Sequence, residues 1–197
     1  MKEKNIFLVR HGQTDYNKKQ RFLGRINAEL NVFGKKQARE IKDALENKEI
    51  EKVFTSPLKR ARETAELCFP KKARIKDCLM ERDFGMFDGK TRLQAVQIVK
   101  KVYPEKNFPA KGFEFIDFCL GREKFGGEQI RKLEKRVFNC FENIMESREE
   151  NIAVFSHAIW IKTLLRQLKL IDHNFDLHTG SIVLLKTGKK NEIRIIR

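Results

Sequence analysis

Short apolar runs alternate along the chain with longer segments in which apolar residues recur every three or four positions. The short runs have the length and composition of buried strands and cover 6–10, 52–55, 73–76 and 152–155. The longer segments predict helices over 31–46, 56–67, 91–103, 128–147 and 158–168. Strands that alternate with helices favour an α/β domain with a mainly parallel sheet.

Two further runs, 181–187 and 192–196, flank Gly188-Lys189-Lys190-Asn191 and are typical of a hairpin. This hairpin adds an antiparallel edge to the sheet. We therefore expect one domain over 1–197, a three-layer α/β sandwich with helices on both faces of the sheet. Residues 104–127 follow neither period and contain five phenylalanines, so we expect a cap or lid there.

Residues that favour helix starts precede three of the predicted helices. Asn31 and Thr91 are suitable N-caps, because a short polar side chain can accept a hydrogen bond from a free backbone N–H of the first turn. Ser56 is followed by Pro57, which predicts an N-cap with proline at the first helical position.

The charge balance changes the picture of possible partners. The chain has 42 basic and 27 acidic residues, a formal net charge of +15, and such a surface attracts anions. The basic residues are spread along the chain without a nucleic-acid-binding motif, so we do not expect nucleic acid as a partner. The longest apolar runs have four residues, whereas a membrane-spanning helix needs about 20, so we expect no membrane partner.

The cysteines and histidines indicate the compartment and the cofactors. No apolar stretch at the N-terminus has the length of a secretory signal, so we expect a cytoplasmic protein. The cysteines are then expected to be reduced packing residues: Cys68, Cys78, Cys119 and Cys140. The sequence has no HxH or HExxH metal motif, and we expect neither a metal nor another cofactor.

Polar residues that can carry chemistry follow several of the predicted strands. Arg10 and His11 come at the end of the first strand, Arg60 follows the second, and His157 follows 152–155. Glu81 lies in a glycine-containing loop after the third strand. Because α/β sheets bind ligands at the carboxyl ends of their strands, we expect these five side chains to meet in one crevice.

This set of residues suits phosphoryl transfer. A neutral imidazole can attack phosphorus and divide one difficult hydrolysis into two steps. Guanidinium groups can hold phosphoryl oxygens in a fork, which lysine cannot do. A carboxylic acid can protonate the departing alkoxide and then act as the base for water. None of these steps requires a metal.

The same residues lie in motifs that resemble those of the histidine phosphatase (phosphoglycerate mutase-like) superfamily. Leu8-Val9-Arg10-His11-Gly12-Gln13-Thr14, with Asn17, is similar to its RHG signature. Further segments resemble the family in the same order, over nearly the whole chain: Thr55–Ala61, 79–89, Gly126-Gly127-Glu128 and Ser156-His157. The sequence departs from the family pattern at Ala158, where glycine is usual, and at Phe87, where tryptophan is common.

The resemblance implies a role for each matching position. His11 would be the phosphorylated nucleophile, and Glu81 the proton donor. The phosphate pocket would be completed by Arg10, Arg60 and His157, with Thr14 and Asn17 as auxiliary phosphate contacts. The resemblance thus implies a metal-independent phosphomonoester phosphatase that acts on a small phosphorylated metabolite.

Two other functions remain open at this point. A phosphoglycerate mutase of the same fold would return the phosphoryl group to a bound product instead of water. A non-catalytic module would use the basic pocket only to bind phosphate or nucleic acid. A third pattern, the C-x5-R spacing of Cys68 and Arg74, resembles cysteine-dependent phosphatases, but it follows a helix and contains Pro70, which argues against a phosphate loop.

Overall fold

A computed structural model of the chain describes residues 3–104, 123–172 and 174–197. The strands are β1 (Lys4–Arg10), β2 (Lys52–Thr55), β3 (Ala73–Ile75), β4 (Asn151–Ser156), β5 (Ile182–Thr187) and β6 (Glu192–Ile195). The α-helices are α1 (Asp15–Lys18), α2 (Val32–Leu45), α3 (Lys59–Cys68), α4 (Arg92–Val102), α5 (Ile130–Met145) and α6 (Ala158–Gln167). Short 3-10 turns cover Asp77–Leu79, Gly85–Phe87 and Glu123–Phe125.

The six strands form one sheet in the order β3-β2-β4-β1-β5-β6. Strands β3, β2, β4 and β1 pair in parallel, whereas β5 runs antiparallel to β1 and β6 antiparallel to β5. The mainly parallel sheet with an antiparallel edge is therefore confirmed, including the hairpin of β5 and β6.

The alternation of side chains along β1 explains why helices cover both faces of this sheet. Ile6 and Leu8 point into one apolar core, which they share with Leu133 of α5 and Trp160 of α6. Phe7 and Val9 point the other way, into a second core with helices α2 and α3. Successive strand residues face opposite sides of the sheet. A strand that is apolar at every position therefore needs helices packed on both faces of the sheet. The three-layer arrangement is confirmed.

The predicted start of the helix after β2 is wrong. Helix α3 begins at Lys59, and its N-cap Leu58 makes no side-chain capping bond. The Ser56 hydroxyl instead accepts a hydrogen bond from the Leu58 backbone N–H and bonds to the ring of His157. The Ser56 side chain thus bonds both to a backbone N–H two positions on and to a distant ring, but it does not cap α3. The caps at Asn31 and Thr91 are confirmed.

The cysteines also differ from the expectation. Cys78 and Cys140 form a disulfide, with Cα atoms 5.7 Å apart, so their assignment as reduced thiols is wrong. These residues are 62 positions apart in the sequence, and only the packing of α5 against the 77–79 turn brings them together. Cys68 is a buried free thiol, and burial raises its pKa to about 12. A thiol held in its protonated form is a poor nucleophile, which agrees with its packing role.

No α-helix within the described ranges is long and apolar enough to cross a membrane. The segment expected to act as a cap, 104–127, falls largely outside the described residues. Its described end, Phe125, is buried with Phe84 and Phe87 in a third apolar cluster. This cluster packs the loop that carries Glu81 against the chain that leads into α5.

Candidate active site

The two histidines meet because the strands that precede them are neighbours. Parallel pairing of β1 with β4 places Arg10 opposite Ser156, so His11 and His157 leave the sheet side by side. Their ring centroids are 5.1 Å apart, and both rings are buried. The structure therefore brings together two residues that are far apart in the sequence. They lie at the carboxyl ends of the central strands, where the sequence predicts a crevice.

Hydrogen bonds determine which nitrogen of His11 carries the lone pair. Its Nδ1 lies 2.7 Å from the carbonyl oxygen of Gly12. A carbonyl only accepts, so Nδ1 must donate and carries the proton of a neutral ring. The other nitrogen, Nε2, accepts a bond of 3.1 Å from Nε of Arg60. The unprotonated nitrogen of His11 thus lies beside a guanidinium.

The electrostatic surroundings keep this ring neutral. Burial lowers the pKa of His11 well below its usual value, and the positive charges of Arg60 and Arg10 lower it further. An imidazolium in a buried pocket with two guanidiniums would be unfavourable on both counts. At neutral pH Nε2 therefore carries a lone pair instead of a proton, as a nucleophilic imidazole requires.

Arg60 is buried and fixed by backbone carbonyls. Its Nη1 and Nη2 each donate a bond of 2.8 Å, to the carbonyls of Ile26 and Gly24. Burial lowers its pKa to about 10, and the Glu81 carboxylate opposes this effect only in part. The guanidinium is therefore still charged at neutral pH, and its plane is held before any ligand binds.

Arg10 and His157 hold buried polar atoms beside the same ring. Arg10 donates from Nη1 to the carbonyl of Leu177. Within the described residues, its Nε and the Nδ1 of His157 are buried without a hydrogen-bond partner. Buried polar atoms are normally satisfied, so unpaired ones in a cationic pocket can serve a bound anion. Burial and then Arg60 lower the pKa of His157 well below its usual value.

The Glu81 carboxylate is held at the first turn of α6. Its oxygens accept bonds from the backbone N–H groups of Arg82 at 2.9 Å, Ile159 at 3.2 Å and Trp160 at 3.3 Å. A carboxylate at a helix N-terminus is favoured by the free N–H groups there. Because His157 is the N-cap of the same helix, these contacts bring Glu81 close to the histidines.

Thr14 and Asn17 form a capping box around the short helix α1. The Thr14 hydroxyl donates to Oδ1 of Asn17 at 2.9 Å, and Oδ1 also accepts from the Thr14 backbone N–H at 3.0 Å. The sequence prediction did not include α1. These two side chains hold each other where the short loop that follows His11 ends and α1 begins.

Three contributors to the site were not found from the sequence. Ser56 bonds to His157 Nε2 at 2.8 Å, and the carbonyls of Gly24 and Ile26 orient Arg60. Backbone carbonyls carry no sequence signal, because every residue has one. Ser56 lies inside a motif that the resemblance identified, but its position beside Pro57 favoured a cap.

In the described part of the chain, no three side chains of histidine, cysteine, aspartate or glutamate cluster as metal ligands do. What the geometry offers is a neutral imidazole with its lone pair beside a buried, charged arginine. A second arginine, a second histidine and a carboxylate surround that pair. This arrangement can bind a phosphoryl group, attack it and exchange a proton with the leaving group.

Comparison with known proteins identifies relatives of similar sequence and solved structures of similar fold. Phosphoserine phosphatase 1 of Hydrogenobacter thermophilus is 28% identical over 171 residues, covering 85% of this chain and 77% of the relative. Phosphoglycerate mutase-like protein 4 of Arabidopsis thaliana is 29% identical over 170 residues, covering 83% and 70%. The solved structure of mycobacterial hydrolase 1 shares the fold, with a TM-score of 0.78 at 21% identity, covering 98% and 97% of the two chains.

The family model of the histidine phosphatase superfamily (branch 1) matches residues 6–194, which include all the candidate site residues. The chain belongs to the histidine phosphatase superfamily, as an enzyme of phosphatase or mutase-like activity.

Proposed function

We propose that this protein is a phosphomonoester phosphatase that works through a phosphohistidine at His11. The observation that carries the proposal is the state of the His11 ring. Its Nδ1 is bonded to the Gly12 carbonyl and its Nε2 faces Arg60, so a buried lone pair lies beside a fixed positive charge. That combination suits attack on a phosphoryl group, whose oxygens need positive charge as phosphorus approaches the nitrogen.

In the first step, Nε2 of His11 forms a bond to phosphorus while the P–O bond to the leaving group breaks. Glu81 in its protonated form gives its proton to the departing alkoxide. Arg10, Arg60 and His157 hold the phosphoryl oxygens, and Thr14 and Asn17 contribute auxiliary contacts. In the second step, Glu81 takes a proton from water as the water oxygen attacks phosphorus, and the P–N bond to His11 breaks.

The expected substrate is a small phosphorylated metabolite, and the reaction needs no metal or other cofactor. Phosphoserine and phosphoglycerate are reasonable first compounds, because the names of two relatives refer to them. The net charge of +15 favours approach of such anions.

The phosphoenzyme is the direct test of this proposal. We expect His11→Ala to abolish hydrolysis of p-nitrophenyl phosphate, because no other side chain replaces the nucleophile. Brief mixing of the wild-type enzyme with labelled substrate, followed by a rapid quench, should give protein-bound phosphate that is stable in base and labile in acid. The variant should carry no such label, and activity should persist in EDTA.

Turnover in the alanine variant, or label that resists acid, would contradict the phosphohistidine. The two alternative functions give different results in the same assay. A mutase would interconvert 3-phosphoglycerate and 2-phosphoglycerate in the presence of 2,3-bisphosphoglycerate, with little phosphate released. A binding module would bind phosphate but show neither label nor turnover.

A further inference from the structure

The turn that carries Glu81 is held by side-chain donors at three successive backbone carbonyls. The carbonyl of Cys78 accepts from the indole N–H of Trp160 at 2.8 Å. The carbonyl of Leu79 accepts from the Ser156 hydroxyl at 2.8 Å. The carbonyl of Met80, the residue before Glu81, accepts from a guanidinium on α5. The main chain at Glu81 is therefore fixed from outside the catalytic pocket.

That guanidinium belongs to Arg136, which bonds on two sides at once. Its Nη1 donates to the carbonyls of Cys78 and Met80, each at 2.8 Å. Its Nε and Nη2 donate to the two carboxylate oxygens of Glu128, at 2.8 and 2.7 Å. A planar fork with several donors can make all four contacts, whereas a lysine ammonium group cannot reproduce them.

Glu128 continues the connection on the other side of Glu81. Its backbone N–H donates to the carbonyl of Asp83 at 2.9 Å. Its own carbonyl accepts from Nε of Arg82 at 2.9 Å. The Arg136–Glu128 pair thus holds the chain both before and after Glu81.

The pair is largely shielded from solvent. The exposed fraction of the side chain is 19% for Arg136 and 11% for Glu128. A forked ion pair in this position resists screening by salt better than an exposed pair would. It is therefore suited to hold a loop in one position rather than only to add surface charge.

We propose that Arg136, together with Glu128, is a positioning residue for the general acid Glu81. Arg136 bonds to the backbone before Glu81 and not to its carboxylate, so it acts through the placement of the chain. This inference rests on the proposed role of Glu81 in the phosphatase reaction. A proton donor must lie within hydrogen-bond reach of the leaving oxygen, and a misplacement of about 1 Å can slow a reaction by roughly 100-fold.

The dependence on the leaving group distinguishes positioning from simple stabilisation of the fold. An alkoxide needs a proton as the P–O bond breaks, whereas dinitrophenolate leaves without one. Loss of the hydrogen bonds from Arg136 to the Cys78 and Met80 carbonyls should therefore lower kcat/KM for an alkyl phosphate far more than for 2,4-dinitrophenyl phosphate. General damage to the fold would lower both values together.

The experiment compares Arg136→Met, Arg136→Lys and Glu81→Gln with wild type. All proteins are assayed in one buffer with the same concentration of reductant, so that the oxidation state of Cys78 and Cys140 does not differ between them. We expect Arg136→Met to lose about tenfold or more on glycerol 2-phosphate and little on the dinitrophenyl ester. Arg136→Lys should show the same pattern in milder form. Arg131→Met is the matched control, because Arg131 is an exposed residue on the same helix, and both substrates should react as in wild type.

Each outcome has one meaning. If Glu81→Gln lowers kcat/KM equally for both substrates, Glu81 is not the acid, and the proposal for Arg136 is then wrong as well. If Glu81→Gln shows the leaving-group effect and Arg136→Met shows none, or an equal loss on both substrates, only the positioning role is overturned. Thermal unfolding checks that the variants are folded, and should Arg136→Met not fold, Arg136→Lys decides the question.

Discussion

His11 and His157 are both buried, and burial disfavours a second proton on either ring. Their hydrogen bonds nevertheless suit the two rings to different tasks. The proton of His11 is held by a carbonyl on Nδ1, which leaves the lone pair on Nε2 facing Arg60. His157 bonds to the Ser56 hydroxyl through Nε2, and a hydroxyl can either donate or accept. Only for His11 does a neighbouring group fix which nitrogen is nucleophilic.

Arg60 gives the first prediction at the scale of single residues. Arg60→Lys should lower kcat/KM for p-nitrophenyl phosphate by about 100-fold, because a lysine cannot both bond to the two carbonyls that hold Arg60 and direct a third donor at His11. Steady-state kinetics measure the loss.

Arg62→Lys is the matched control for this change. Arg62 lies two positions along α3 and is exposed, so its conservative replacement should leave kcat/KM within about twofold of wild type. Equal losses in the two variants would mean that the wrong arginine has been assigned to the phosphate pocket.

At the scale of elements, the site depends on a close contact between the loop after β1 and the N-terminus of α2. Gly12 follows the nucleophile, and a Cβ placed on it would lie 2.5 Å from the carbonyl oxygen of Gly34 in α2. The Gly12 backbone N–H also donates to the Thr64 hydroxyl of α3 at 3.1 Å. The loop is thus packed backbone to backbone against its neighbours, and glycine is required there by space.

Gly12→Ala should therefore both destabilise the protein and reduce activity. We expect a loss of about 1–3 kcal/mol in the free energy of unfolding, because the backbone must shift to admit the methyl group. The shift moves His11 directly, so kcat should fall as well. Urea denaturation and steady-state kinetics measure the two effects.

Gly188→Ala provides a comparison within the same chain. A Cβ at Gly188, in the turn between β5 and β6, would meet its nearest atom, the Cγ of Glu3, at 3.4 Å, which is ordinary contact. This variant should keep wild-type activity. A Gly12→Ala variant as stable and active as Gly188→Ala would show that the contact between the loop and α2 yields easily.

At the scale of the whole molecule, burying two neutral histidines makes global stability depend on pH. In the native state the pKa of His11 and of His157 is lowered well below the usual value, mainly by burial. In the unfolded chain both should titrate near 6.5. As the pH falls through that value, the unfolded state takes up protons that the native state does not, so the free energy of unfolding decreases.

Each histidine can contribute up to about 1.4 kcal/mol per pH unit below the unfolded pKa. Asp88 acts in the opposite direction, because burial raises its pKa to about 6. Between roughly pH 4 and pH 6 the native state retains that proton while the unfolded chain releases it. The histidine effect should therefore be clearest between about pH 7 and pH 5.5.

The variant His157→Gln isolates one histidine, because Asp88 is common to both proteins. We expect the free energy of unfolding of wild type to fall more steeply from about pH 7 to about pH 5.5 than that of the variant, by up to about 1.4 kcal/mol per pH unit. Urea denaturation at several pH values measures both slopes. Parallel slopes would mean that His157 accepts a proton in the native state as readily as in the unfolded one.

The sequence by itself determined the alternation of strands and helices, because burial on both faces of a sheet requires continuous apolar runs at strand spacing. It also determined which residues are candidates for the site, since His11, Arg60, Glu81 and His157 lie in motifs whose order along the chain matches a family. Two predictions, the cap at Ser56 and the reduced thiols at Cys78 and Cys140, were wrong, and neither took tertiary contacts into account. Ser56 and the cysteines of the Cys78–Cys140 pair have partners that are distant in the chain.

Only the tertiary structure decided how those candidates are arranged. The direction of the His11 lone pair depends on the Gly12 carbonyl, and the orientation of Arg60 depends on carbonyls that every sequence contains. The bonds from Arg136 to the turn before Glu81 join residues more than 50 positions apart. Sequence periodicity indicates which face of an element is buried. Hydrogen bonds between elements form only when the elements pack, because they depend on interatomic distances that cannot be read from the order of residues.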